Sequence, residues 1–221
     1  MPELITHGAT EAPASAPLAI DWGQLLEQRP AVLRHSDMPA YLLLPEVHAL
    51  LDSTLDDNSR LLLNTLWHTG ARVSEALALT PAHFELSTRL PYVSIETLKT
   101  RGRPRKHAAK KPRLLPLSDE NYLRQVERYI TTHGVRRHAR FFPVTRSAIN
   151  KRLERLTAPL ALTVPVSPHT FRHSFAVNAV LHGTPLPALQ GWLGHADIAS
   201  TLIYTRVLTL ETHHLMRRIQ F

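Results

Sequence analysis

The densest group of reactive side chains lies in residues 167–206, which read SPHTFRHSFAVNAVLHGTPLPALQGWLGHADIASTLIYTR. His169 and Arg172 are three residues apart, so on a helix they share one face. His195 follows, and Tyr204 comes nine residues after it. Attack on a phosphodiester needs a nucleophile, cations on the non-bridging oxygens and a proton donor for the leaving oxygen. These residue types therefore indicate phosphodiester chemistry.

Cap and turn residues predict how this stretch folds. Ser167 can cap a helix and Pro168 suits its first position, so a helix is expected to begin there. After a turn, a second helix is expected to end at Gly194, because glycine is a common C-terminal stop. His195 follows that stop directly, and Tyr204 is expected in a short helix of its own.

A second candidate region is the string TGARVSEALALTP, which begins at Thr69. Gly70 is expected to end a helix, and Arg72 lies just ahead of a short one, with Glu75 three residues later. Arg72 is either a surface arginine or a phosphate ligand. Its planar guanidinium stays charged and makes paired hydrogen bonds, so it suits the second role.

These two strings carry a family resemblance. HTFRHSFA followed by LGHADIASTLIYTR resembles the second signature block of the tyrosine recombinases, the lambda-type integrases. That block pairs His-x-x-Arg with Leu-Gly-His and a tyrosine about nine residues on. TGARVSEALALTP resembles the first block, in which an arginine is closely followed by an acidic residue. The resemblance covers residues 42–221.

The positive charge of the chain is concentrated in one segment. Alternating residues predict a strand over 91–98 and a returning strand over 113–117. Residues 99–113 between them contain eight Lys or Arg and no acid, against a net charge of +8 for the whole chain. We expect a hairpin tip that grips DNA phosphates. The predicted DNA-binding residues are Arg101, Arg103, Arg105, Lys106, Lys110, Lys111 and Arg113.

The resemblance implies a role for each candidate residue. Tyrosine has a reference pKa near 10, so only about one part in a thousand is ionised at pH 7, and the nucleophile must be activated. The family places an active-site lysine in the hairpin; Lys99 matches best, with Lys106, Lys110 and Lys111 as competitors. The implied set is Arg72 and Arg172 as phosphate clamps, His169 as base or proton relay, His195 as donor to the phosphate, Lys99 as general acid, Tyr204 as nucleophile and Glu75 as the residue that orients the cluster.

The whole chain of 221 residues is long enough for one sizeable domain with an arm. The predicted fold is mainly α with a small antiparallel β-sheet (α+β), as in a tyrosine recombinase catalytic domain. Residues 1–40 are expected to form a partly flexible N-terminal arm, and residues 41–221 the catalytic domain with a C-terminal helix. The chain has no cysteine and no membrane-length apolar run. We expect a cytoplasmic protein of a prokaryote or its mobile DNA.

The implied function is site-specific DNA recombination through a 3′-phosphotyrosine bond, in an inversion, resolution or integration reaction. The partners are double-stranded DNA and further copies of the chain, as a tetramer on synapsed DNA, without cofactor or metal. Only about 40 residues precede the predicted catalytic domain, and this arrangement resembles the short family members such as the fimbrial-switch invertases. Most of the family carry a longer core-binding domain that closes around the duplex. In its place, an accessory DNA-bending or partner protein is expected to contribute to target binding.

Three alternatives compete with this interpretation. A type IB topoisomerase would share the chemistry but relax supercoils without exchanging strands. A DNA-binding regulator or accessory factor would use the same fold without catalysis. A metal site is the third, given 14 histidines. His213 and His214 are adjacent, and no His-x-x-x-His pair with a nearby carboxylate stands out. The metal alternative is therefore the weakest.

Overall fold

The computed structural model describes residues 20–54, 56–96 and 112–208, which form a mainly helical body with one small sheet. Within these ranges no helix is long and apolar enough to cross a membrane. The helices are α1 (Trp22–His35), α2 (Leu44–Asp52), α3 (Asp57–Thr69), α4 (Val73–Ala76), α5 (Glu120–Thr132), α6 (Arg146–Thr157), α7 (Pro168–Leu181), α8 (Leu186–Leu193) and α9 (Ala199–Leu202). Two 3₁₀ turns cover Pro81–His83 and Ile203–Val207; the second is called the Tyr204 turn below.

The sheet has three antiparallel strands in the order β1 (Phe84–Glu85), β2 (Tyr92–Ile95) and β3 (Arg113–Pro116). Val93 lies opposite Leu115 and both are buried, so the inner face of the β2–β3 pair packs on the core. The two predicted strands are confirmed, whereas β1 was not predicted. The segment between β2 and β3 that carries Lys99, Arg101, Arg103, Arg105, Lys106, Lys110 and Lys111 lies outside the described residues.

The main core lies between α3 and α7. Leu62 and Leu66 of α3 are almost fully buried, as is Phe171 of α7. The predicted start of α7 is confirmed, because the Ser167 side chain accepts a hydrogen bond from the Thr170 backbone N–H. The packing of α3 on α7 brings the start of the first signature string, at Thr69 and Gly70, beside the start of the second.

Aspartate side chains cap two of the helices. Asp56 caps α3, and its carboxylate accepts the Ser59 backbone N–H at 2.7 Å. The Asn58 amide instead donates to the Tyr129 hydroxyl at 2.7 Å. Asp119 caps α5. Neighbouring polar residues can each cap a helix, and tertiary contacts decide which one does.

A second apolar cluster joins α1 to the other end of α7. Leu25 and Val32 of α1 pack in one cluster with Val180, Leu189 and Tyr204. A helix within the segment predicted as an N-terminal arm thus docks on the body of the protein. It places apolar surface against the Tyr204 turn and so supports the candidate nucleophile.

The N-terminal helix is also held by a buried ion pair. Arg29 of α1 donates to the Tyr41 carbonyl at 3.1 Å and to Glu46 of α2 at 2.5 Å. A second guanidinium nitrogen reaches the Thr163 hydroxyl. A buried arginine needs such partners because its charge cannot be left desolvated and unpaired.

Candidate active site

Arg172 is the buried centre of the site. Its side chain projects from α7, is only 4% exposed, and donates to the Gly70 and Leu193 carbonyls at 2.7 Å each. Both carbonyls lie at helix C-termini, where the helix dipole is negative and favours a cation. Burial, with the nearby charge of Arg72, lowers the pKa of Arg172 to about 10. The guanidinium therefore remains charged at neutral pH.

Gly70 allows α3 to end against α7. Its φ is +56°, in the left-handed region that glycine tolerates best. A Cβ placed on it would lie 2.4 Å from Cδ1 of Phe175. Glycine at this position therefore permits both the helix stop and the close approach that presents its carbonyl to Arg172.

The Glu75 carboxylate binds two arginines, Arg72 and Arg113. It accepts from the Arg72 guanidinium at 3.0 Å and from the Arg72 backbone N–H at 2.9 Å. Arg113 donates to the same carboxylate at 2.6 Å. Although burial opposes ionisation of Glu75, hydrogen bonding and charge from Arg113, with Arg72, hold the pKa of the carboxyl below its usual value. The Arg72 side chain remains 36% exposed and can be reached by an anion.

Arg113 occupies a different place from the one that the sequence suggested. It was predicted as a phosphate-contacting residue of the hairpin tip. Its side chain is instead 9% exposed and paired with Glu75, and its Nε donates to the Trp192 carbonyl at 2.7 Å. These contacts hold the first residue of β3 against α4 and α8. A role in positioning Glu75 fits this geometry better than contact with a DNA backbone.

Tyr204 is buried and hydrogen-bonded. The residue is 2% exposed, and its hydroxyl lies 2.9 Å from Nδ1 of His173. Burial raises the pKa of Tyr204, while the charges of Arg172 and Arg72 oppose that rise. Burial, then the charges of His169 and Arg172, lower the pKa of His173 to about 4. His173 is therefore neutral at pH 7.

The sequence analysis did not single out His173. A signal was available, because His173 lies four residues after His169 and so shares its helix face. Sequence could not show that this face meets the Tyr204 turn.

His195 is oriented by a residue that was also missed. Its Nδ1 lies 2.9 Å from the Thr201 hydroxyl, and Thr201 is fully buried. One ring nitrogen is thus engaged, and Nε2 is the one that can act toward a substrate. Burial, then the charges of Arg172 and Arg72, lower the pKa of His195 to about 4.

His169 lies at the exposed rim of the same cluster, on the first turn of α7. Its Nε2 is 3.5 Å from a guanidinium nitrogen of Arg146 at the start of α6. Partial burial and the charges of Arg146, Arg172 and Arg72 lower its pKa. Arg146 adds a further cation to the site that sequence reasoning did not find.

The structure therefore brings together most of the predicted site. Arg172 interacts electrostatically with Arg72, Glu75 and Tyr204, and also with His195. The predicted lysine, Lys99, lies outside the described residues. In the described parts of the chain, no three metal-ligating side chains are grouped closely enough to hold a metal ion.

Sequence comparisons relate this chain to known recombinases. A sequence model of the phage integrase family matches residues 40–211. The resolvase of Escherichia coli K12 is 39% identical, over 95% of this chain and 86% of the relative. Tyrosine recombinase XerD of Pseudomonas aeruginosa is 31% identical, over 91% of this chain and 65% of the relative.

Solved structures share the fold. The crystal structure of the XerA recombinase superposes with a TM-score of 0.64 at 24% identity, over 83% of this chain and 67% of that one. The XerH recombinase bound to its difH substrate gives 0.63 at 22% identity, over 81% of this chain and 54% of that one. This chain thus spans about half the length of the XerH chain.

The helical fold and the arrangement of arginines, histidines and a tyrosine define a tyrosine recombinase catalytic domain. The chain belongs to the phage integrase family, and it is a site-specific DNA recombinase of the tyrosine type. The predicted fold class, family and enzyme class are confirmed.

Proposed function

We propose that this protein cleaves double-stranded DNA with Tyr204 as the nucleophile. Tyr204 Oη forms a bond to the scissile phosphorus, the P–O5′ bond breaks, and a 3′-phosphotyrosine and a 5′-hydroxyl result. A 5′-hydroxyl from another strand then attacks the phosphotyrosine and restores a DNA backbone. The observation that carries the proposal is the position of the Tyr204 hydroxyl, 2.9 Å from Nδ1 of His173, the residue that follows the buried Arg172 on α7.

The two arginines are the proposed phosphate clamp. The buried Arg172 is held by the Gly70 and Leu193 carbonyls, so its charge is preorganised before DNA binds. Arg72 is oriented by Glu75 and reaches solvent. Charge that develops on the phosphate during attack would meet cations that need no reorganisation.

Proton transfer needs further groups. His195 is the proposed donor to a non-bridging oxygen, because Thr201 engages Nδ1 and leaves Nε2 for the substrate. His169 is the proposed proton relay at the rim of the site. Lys99 remains the predicted general acid for the leaving O5′, with Lys106, Lys110 and Lys111 as alternatives.

The bond energy of the phosphodiester is retained in the phosphotyrosine. The proposed reaction therefore uses neither ATP nor a metal ion. We further propose that a tetramer acts on two synapsed DNA sites, with the basic segment between β2 and β3 on the phosphate backbone. Two relatives are named resolvase, which supports resolution as the reaction.

A covalent-trapping assay tests the proposal. The protein is incubated with nicked suicide substrates from DNA flanking its own gene and quenched with SDS, and DNA-linked protein is separated by electrophoresis. Wild type is expected to form an adduct without metal, and Tyr204→Phe to form none. Tyr92→Phe, a tyrosine of β2, is the matched control and should behave as wild type.

Each other outcome points elsewhere. An adduct that survives in Tyr204→Phe would assign the nucleophile to a different residue. DNA binding without any adduct would favour the regulator or accessory-factor alternative. If the same DNA is supplied in a supercoiled plasmid, relaxation of the plasmid without recombinant product would favour topoisomerase-like activity.

A further inference from the structure

The hydrogen bond between Tyr204 and His173 lies at the atom that must react. Tyr204 Oη is 2.9 Å from His173 Nδ1, and the residue as a whole is 2% exposed. A buried phenol cannot pass its proton directly to bulk water. The group in contact with the hydroxyl is therefore the natural first recipient of that proton.

His169 is less well placed for this step. It lies at the exposed rim, where its Nε2 faces the Arg146 guanidinium at 3.5 Å. A proton gained at that nitrogen would meet an adjacent positive charge. His173 is partly buried one helical turn further along α7, and its Nδ1 faces the nucleophile.

We infer that His173 is a further catalytic residue, whose Nδ1 accepts the phenol proton as Tyr204 attacks the scissile phosphate. The inference rests on the proposed function of Tyr204. The Oη–P bond forms and the P–O5′ bond breaks while the phenol proton moves to Nδ1. The leaving O5′ takes its proton from the general acid. On rejoining, the incoming 5′-hydroxyl loses its proton to that acid's conjugate base, and His173 returns its proton to Tyr204.

This step requires the neutral ring with its proton on Nε2. The groups that face His173 are His169 and Arg172 of its own helix, His195 after α8, and Tyr204. The imidazolium formed during attack is close to the bound phosphate, whose negative charge offsets the neighbouring cations.

His173→Asn is the test variant, because the Asn amide can keep a hydrogen bond near the position of Nδ1 but cannot take a proton. The rate of adduct formation is measured on a nicked suicide substrate in single turnover. We expect cleavage to slow by about 100- to 10,000-fold, with DNA affinity unchanged. His182→Asn is the matched control, since His182 is an exposed histidine at the end of the same helix and should cleave as wild type.

A substrate with sulfur at the scissile 5′-bridging position separates a proton acceptor from a proton donor. A thiolate leaves without protonation, so this substrate rescues a variant that lacks the general acid. We expect no rescue of His173→Asn. Rescue would assign His173 to the leaving group and overturn the inference.

A cleavage rate for His173→Asn within about threefold of wild type would also overturn the inference. The Asn side chain can still position Tyr204 by a hydrogen bond but cannot accept its proton, so such a rate would mean that proton acceptance by His173 is not needed. If His173→Asn does not fold, as judged by its thermal midpoint, His173→Gln is measured in the same way. A wild-type adduct that depends on Tyr204 but not on His173 would overturn this inference alone. Absence of a wild-type adduct would overturn the proposed function as well.

Discussion

Arg113 donates to the Glu75 carboxylate at 2.6 Å, which ties the first residue of β3 to the short helix that follows Arg72. The pair is largely buried, with side-chain exposures of 9% and 1%. Glu75 also accepts from Arg72. The carboxylate therefore holds one cation that supports the fold and one that reaches the proposed phosphate site.

Neutralising Glu75 should destabilise the protein. Glu75→Gln keeps the shape of the side chain but leaves buried Arg113 without its counter-charge, which typically costs about 3–5 kcal/mol. The free energy of unfolding in urea measures the loss. Glu120→Gln is the control, because its pair with Arg124 is exposed and should change stability by less than about 1 kcal/mol. Equal effects of the two variants would contradict the structural role of Glu75.

Removing either arginine of the proposed phosphate clamp should reduce DNA cleavage far more than DNA binding. For Arg72→Ala and Arg172→Ala we expect a loss of about 2.7–4 kcal/mol of transition-state stabilisation, because one preorganised cation is missing. DNA affinity should remain measurable by gel shift while adduct formation nearly vanishes. Arg124→Ala, an exposed arginine of α5, is the control. Unchanged cleavage in either clamp variant would remove that arginine from the site.

A methyl group at Gly70 should destabilise the protein. Gly70→Ala adds left-handed strain and a contact of 2.4 Å with the Phe175 ring, together worth about 2–4 kcal/mol. Gly134→Ala isolates the strain, because φ there is +58° and no atom lies within 4 Å of the added Cβ. Thermal unfolding of both variants gives the comparison. A loss at Gly70 no larger than at Gly134 would show that α7 yields to the new methyl group.

Stability should fall in mild acid. Burial, opposed by Asp119 and aided by His48, lowers the pKa of His68 to about 4, against about 6.5 in the unfolded chain. The unfolded state therefore binds more protons between these values. Stability is full above pH 6.5 and is lost as the pH falls toward 4, by at most about 1.4 kcal/mol per pH unit for one histidine.

His68→Phe tests this dependence, because it keeps a ring stacked on Tyr122 but cannot titrate. Thermal midpoints from pH 7 to pH 4.5 should fall less steeply in the variant than in wild type. His173 and His195, whose pKa values are also lowered to about 4, should maintain part of the slope. Parallel curves would exclude His68 as a source of the acid sensitivity.

Local rules of the chain predicted much of this structure. The start of α7 at Ser167 and Pro168, and the helix stops at Gly70 and Gly194, depend on caps and backbone angles within a few residues. The β2–β3 pair follows from alternation along each strand. Arg172 could be singled out because it follows His169 by three residues, at the start of a helix that the local cap residues predict.

Tertiary structure decided which side chains meet. Arg172 binds the Gly70 carbonyl across 102 positions of sequence, and His173 meets Tyr204 across 31. Arg113 turned inward to Glu75 although its segment is strongly basic. Periodicity states which face of an element is apolar, but it does not state which element packs on that face. Such contacts form only when α3, α7 and α8 pack together. Sequence alone therefore could not show which arginine faces a phosphate and which is buried.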